Sequence, residues 1–166
     1  MRLVILSVVF NVFWLTAVAG GSQWWPVLAV CLVVAVILDP KLLWLAPILS
    51  VFGLFSDFVL TLVGVIDFGM RGLPLWLVFL WLGFTAYIWL IRETIFSANR
   101  IVICALAGVG GALSYFAGVK LGAADLPMGT FGSLAVILVL WVVHGAVLNA
   151  LMRWFDAIYP ASEVTE

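Results

Sequence analysis

The sequence predicts an all-α, polytopic integral membrane protein: about six transmembrane helices in one compact bundle, with both termini on the cytoplasmic side. Three observations predict it. Of 166 residues, 67% are hydrophobic and 9% charged, and the mean hydropathy is +1.33, which leaves too little polar surface to cover a water-soluble globule. The apolar residues come in runs long enough for a helix, rising about 1.5 Å per residue, to cross a hydrocarbon core of about 30 Å. These runs are apolar on every face, whereas the strands of a transmembrane barrel alternate apolar and polar residues.

The first run, residues 3–19, ends at Gly20-Gly21-Ser22. A lone Arg2, an apolar stretch and Ala17-Val18-Ala19 also fit a cleaved signal peptide, but Asn11 and Trp14 interrupt the stretch and argue for a retained helix. The second run, 24–38, is short and bounded by Trp24-Trp25-Pro26 and Asp39-Pro40, so it tilts little or thins the bilayer. The third, 42–66, is too long and contains Pro47. Since proline is tolerated in the first turn of a helix, 41–46 reads as an interfacial piece and 47–66 as the crossing, with Asp57 near its middle. Runs 73–91, 101–119 and 131–154 complete the set, separated by turn-rich connections too short to be soluble domains. The chain thus divides into one transmembrane domain, 1–160, and a short cytoplasmic tail, 161–166. Arg2, Lys41, Arg92, Arg100 and Arg153 flank the helices on one side and only Arg71 and Lys120 on the other. By the positive-inside rule the first side is cytoplasmic.

Charge and motif content exclude several classes of function. With Lys+Arg 7 against Asp+Glu 8 and no basic run, nucleic acid is not a partner. Cys31 and Cys104 each sit inside an apolar run as small hydrophobes, so there is no disulfide framework. No phosphate-cradling glycine loop, Cys/His metal spacing or nucleophile elbow is present, so neither a metal nor a cofactor is expected.

An ionisable side chain near the bilayer centre costs at least about 2.5 to 3.5 kcal/mol, so each one must be explained. Asp57 and His144 are the two, and Asn11 lies at a similar depth. Tyr115, about one turn farther out, can donate its hydroxyl to Asp57. One reading makes Asp57, His144, Asn11 and Tyr115 a ligand-binding pocket for a cation, a proton or a donor-rich headgroup. The other makes them an interhelical hydrogen-bond network that fixes packing. Gly111, Ser114, Gly118 and Gly122 fall at small-xxx-small spacing, with Ala107 continuing the face inward, and read as a helix-packing or partner face. Trp14, Trp81 and Trp141 lie deep and each needs an acceptor for its indole N–H. A weak internal echo relates 53–58, Gly64 and Asp67 to 111–116, Gly122 and Asp125, and one account of it is a parallel repeat of helical hairpins.

Asn11-x-x-Trp14, Gly53-x-x-x-Asp57, Pro74-x-Trp76 followed by Trp81-x-x-Phe84, and Ser114-Tyr115-x-x-Gly118-x-x-x-Gly122, in this order, resemble a bacterial inner-membrane family known only as a domain of unknown function. The resemblance spans nearly the whole chain. It implies a small multi-helix protein, often encoded beside enzymes resembling cyclopropane-fatty-acid synthases, and hence a role in membrane lipid modification or envelope stress. It supplies no catalytic residues. A looser likeness to small six-helix cell-shape and vitamin-uptake subunits lacks the alanine-rich docking motif of the latter. The expected function is therefore a noncatalytic protein of the bacterial inner membrane that assists a lipid or envelope process by binding a membrane protein partner or a lipid. A solute transporter or substrate-binding subunit built on the polar pocket and a membrane enzyme acting on lipid are the alternatives.

Overall fold

The computed structural model describes residues 1–159; the tail expected at 161–166 lies outside them. Among the described residues there are seven α-helices: α1 (Arg2–Gly20), α2 (Trp25–Leu38), α3 (Leu42–Leu62), α4 (Leu75–Leu90), α5 (Arg92–Ser97), α6 (Arg100–Lys120) and α7 (Thr130–Ile158). Four segments are long and apolar enough to cross a membrane, Arg2–Leu38, Leu42–Leu62, Arg100–Lys120 and Thr130–Ile158, and α4 is a shorter apolar helix. The first of these is two legs. Gly21 takes φ 62, a 3-10 turn follows over Gly21–Trp24, and α2 folds back against α1.

Two expectations about elements are corrected. α3 does not begin at Pro47 but runs unbroken through it. Proline lacks an N–H, so the helix loses one ladder bond, to Leu43 O, and otherwise continues; beside it the Ser50 hydroxyl donates 2.7 Å to Ala46 O and the Thr85 hydroxyl of α4 lies 3.0 Å from Ser50 Oγ. Asp57 accordingly lies toward the end of α3. The second correction is α5, in a stretch read as a polar connection. It opens with Glu93 in its first turn, where a negative charge meets the positive end of the peptide dipoles. Arg153 Nη2 donates 2.9 Å to Phe96 O and holds α5 to α7.

Lipid is as apolar as leucine, so helices associate in a membrane by close packing and polar contacts. α1, α2 and α3 all pack on α4. α6 and α7 make the tightest pair. A Cβ on Gly108 would lie 2.6 Å from the Val142 side chain, and one on Gly145 2.8 Å from the Ala107 Cβ. The end of the bundle that gathers Arg92, Arg100 and Arg153 is closed by polar ties: Trp89 Nε1 donates to Asp39 Oδ2 at 2.8 Å and Arg92 pairs with Asp156 at 2.9 Å.

α3–α4 and α6–α7 are two copies of one hairpin. α3 and α6 have 21 residues each. Both stop in the same turn: Gly64 (φ 75) and Gly122 (φ 76) adopt the left-handed conformation, and the next residue bonds back to the helix, Val65 N to Leu60 O and Ala123 N to Gly118 O, each at 2.9 Å. Beyond the turns, Asp67 and Asp125 exchange backbone hydrogen bonds of 3.0 and 2.7 Å as an antiparallel bridge. The helices before the bridge therefore run in the same direction, related by a pseudo-two-fold axis along the bundle.

Candidate functional site

Across that axis the corresponding residues of α3 and α6, 58 positions apart, are Asp57 and Tyr115, and the Tyr115 hydroxyl donates to Asp57 Oδ1. Trp81 Nε1 donates to Asp57 Oδ2 at 2.6 Å, so both carboxyl oxygens have a partner. Asp57 is 1% exposed. Gly53 and Gly111, also corresponding, are each covered by the indole of their own hairpin, Trp81 and Trp141, and a Cβ on either glycine would overlap the ring. The two indoles stack on the axis, 5.3 Å apart and 15° from parallel. His144 flanks the stack on one side, 5.4 Å from Trp81 and 5.6 Å from Trp141. Phe84 flanks it on the other, 5.7 and 5.3 Å from the same rings.

The hairpins diverge at one pair that decides the shape of the site. On the His144 side α3 carries Phe52, whose ring lies 4.4 Å from His144 and fills the space between α3 and α7. On the Phe84 side the matching position of α6 is Gly110, with nothing within 4 Å of where its Cβ would be. There a cavity of about 500 Å³ opens between α1, α4 and α6. Its walls are apolar and aromatic, including Trp14, Leu80, Trp81, Phe84 and Trp141, with polar atoms from Asn11, Ser114 and Tyr115. The rim residues Leu106 and Leu113, 63% and 60% exposed, lie on the outer surface of α6. The gap between α1 and α6 is bridged by one hydrogen bond, Trp14 Nε1 to Ser114 Oγ at 2.8 Å.

The four sequence-predicted ligand residues do not form one cluster. Asp57 and Tyr115 bond directly. Tyr115 lines the cavity, while Asp57 sits behind Tyr115 and Trp81 and does not. Asn11 lines the cavity, but its Nδ2 is spent on Ser7 O at 2.8 Å in its own helix. His144 lies beyond the tryptophan stack, with Nδ1 3.1 Å from Leu140 O and Nε2 without a hydrogen-bond partner among the described residues. Of the small-residue face, Gly111, Ser114 and Gly118 line the cavity. Gly122 belongs to the turn after α6 and lies on no helix face, because its positive φ ends the helix. Gly110 and Phe52 are not singled out by the sequence, and Phe84 enters only as part of the Trp81-x-x-Phe84 motif. The 58-residue echo was the signal that finds Gly110, by asking what stands opposite Phe52.

Residues 3–158 match a family described as a protein of unknown function, DUF2878. The chain belongs to that family. The match covers both hairpins, α1 and α2, so the cavity lies wholly within DUF2878. Among curated proteins and among solved structures nothing matches the chain. No group of three or more His, Cys, Asp or Glu side chains is placed to hold a metal among the described residues.

Proposed function

We infer that this protein is a noncatalytic, membrane-embedded binding protein that takes the acyl chain of a lipid into the cavity between α1, α4 and α6. The observation that carries this reading is the cavity itself: apolar and aromatic walls, a few polar atoms, and a rim on the outer face of α6 where hydrocarbon would stand. A pocket of a few hundred cubic ångströms with sparse, fixed polar groups suits an apolar ligand that is oriented by one or two hydrogen bonds. A sideways opening admits a guest that already resides in the bilayer. α1, α2, α3, α4, α6 and α7 serve as six crossings, and the Arg-rich end faces the cytoplasm of a bacterial inner membrane by the five-against-two distribution of basic residues. In that setting the protein assists a lipid or envelope process.

The test is photocrosslinking in proteoliposomes with a phospholipid carrying a diazirine in its acyl chain, adducts being mapped by mass spectrometry. Adducts concentrated on Leu80, Leu113 and their cavity neighbours, and lost on Gly110→Phe, are expected. Equal labelling of the wild type and Gly110→Phe would sink the reading.

A second reading, a transporter for a small solute, draws on the paired hairpins, since many transporters place their site at the interface of internal repeats. It requires Asp57→Asn to abolish uptake while the protein still folds. Under the lipid reading Asp57→Asn leaves crosslinking intact, because Asp57 does not line the cavity.

A further inference from the structure

The Arg-rich end holds a second pocket, about 390 Å³, between the start of α6 and the last turns of α7, lined by Arg100, Cys104, Ala146, Asn149, Ala150 and Arg153. It shares no residue with the cavity described above. Asn149 is 5% exposed, and its Nδ2 is a buried side-chain atom with no hydrogen-bond partner among the described residues. The amide cannot be turned round to cure this. Arg153 Nε donates 2.8 Å to Asn149 Oδ1, and only the oxygen can accept such a bond. The orphan is therefore an N–H donor, held in place beside a guanidinium. Buried polar groups are nearly always paired, and an exception at a pocket points to a missing partner.

The rest of the pocket has the same sign. The Arg153 guanidinium is fixed over the Phe96 ring, 4.6 Å from its centroid, and uses Nη2 on Phe96 O. Its bonds occupy Nε and Nη2 and leave Nη1. Arg100 is exposed at the first position of α6. There Asn99 caps one amide by accepting from Ile101 N at 2.8 Å, and the peptide dipoles present their positive end. Among the described residues no carboxylate lines the pocket. Two guanidinium groups and an amide N–H, approaching from two helices, offer donors only, which suits the several oxygens of a tetrahedral oxyanion better than a cation or a neutral polar group. We propose that the pocket between the start of α6 and the end of α7 binds a phosphate group, with Asn149 Nδ2, Arg153 and Arg100 as its donors.

Cys104 lines the pocket and reports its occupancy. The experiment uses the full chain carrying Cys31→Ala, in maltoside micelles and phosphate-free buffer, and follows the rate at which a maleimide modifies Cys104. Inorganic phosphate and, separately, phosphatidylglycerol are added, each against sodium chloride of equal ionic strength. Slower modification with either is expected. Protection by inorganic phosphate assigns the site to free phosphate groups, and protection by phosphatidylglycerol alone assigns it to a lipid headgroup. Arg100→Gln, at an exposed position with no side-chain partner among the described residues, and Asn149→Leu, which removes the amide at similar volume, are each expected to raise the concentration needed for protection by about tenfold, the loss that goes with a charge-assisted or buried hydrogen bond. No protection by either probe, or protection unchanged in Arg100→Gln, overturns the proposal.

Discussion

The hairpins α3–α4 and α6–α7 share a helix length, a terminating turn and a tryptophan laid over a glycine, yet of the two equivalent joints between them only the one between α4 and α6 opens into the cavity. What they share lies on the axis between them, and what separates them lies off it. On the α3/α7 side Phe52 fills the joint against His144. On the α6/α4 side Gly110 leaves the joint empty and α1 stands across the opening, tied to α6 by Trp14 and Ser114. The common scaffold thus supplies a rigid polar centre, and one missing side chain with one added helix supplies the space.

The largest effect should come from breaking what is common. Trp81→Ala removes a stacked ring and one of the two donors to Asp57, and should cost about 3–5 kcal/mol in unfolding free energy, read from denaturant unfolding in mixed micelles. A loss under about 1 kcal/mol would show that the axis is not the structural centre. Tyr115→Phe leaves one oxygen of buried Asp57 unpaired and should cost about 1–3 kcal/mol in the same measurement. Gly110→Phe makes the two sides alike. It should cut crosslinking of the acyl-chain diazirine by at least about tenfold, a change of about 1.4 kcal/mol, while unfolding stays near wild type, since the ring enters open space. A large loss of stability with labelling retained would mean that the ring had been forced elsewhere. His144→Phe makes the flanks of the tryptophan stack alike and should be the mildest change. It replaces a side chain with one unpartnered nitrogen by an apolar ring, which is near neutral or slightly stabilising. Loss of activity at preserved stability would instead give His144 a direct chemical role.

Hydropathy made the apolar helices legible, since composition alone leaves such a chain no place outside a membrane. The polar pair was legible too. Asp57 at membrane depth needs donors, and Tyr115 was the nearest that sequence could offer. Trp81 was expected to seek an acceptor without its being clear which one. The placement of His144 was not legible for a physical reason. When a helix is apolar on every face, periodicity no longer separates the buried side from the lipid-facing side. His144 was therefore grouped with Asp57 by depth, although the tryptophan stack stands between its ring and the cavity. Ser50 and Thr85, which clasp α3 to α4 through a 3.0 Å hydrogen bond, drew no notice because hydroxyls at these depths are common. α5 was hidden by the same polar residues that mark a connection between helices, and Pro47 by a rule that holds best where water competes for the freed carbonyl.

The Asp67–Asp125 bridge is made by backbone alone and looks the same from either strand. A hairpin ending in this turn presents to its own copy all that the bridge requires, so the contact itself is indifferent to whether the two hairpins are one polypeptide or two. The centre beneath it is not. In a symmetric pair of identical chains, Asp57 would face a second Asp57, two like acceptors that have to share a proton, and a glycine that opened one joint would open both. Covalent linkage is what allows an acceptor on one side of the axis and a donor on the other, and a single cavity with a single mouth.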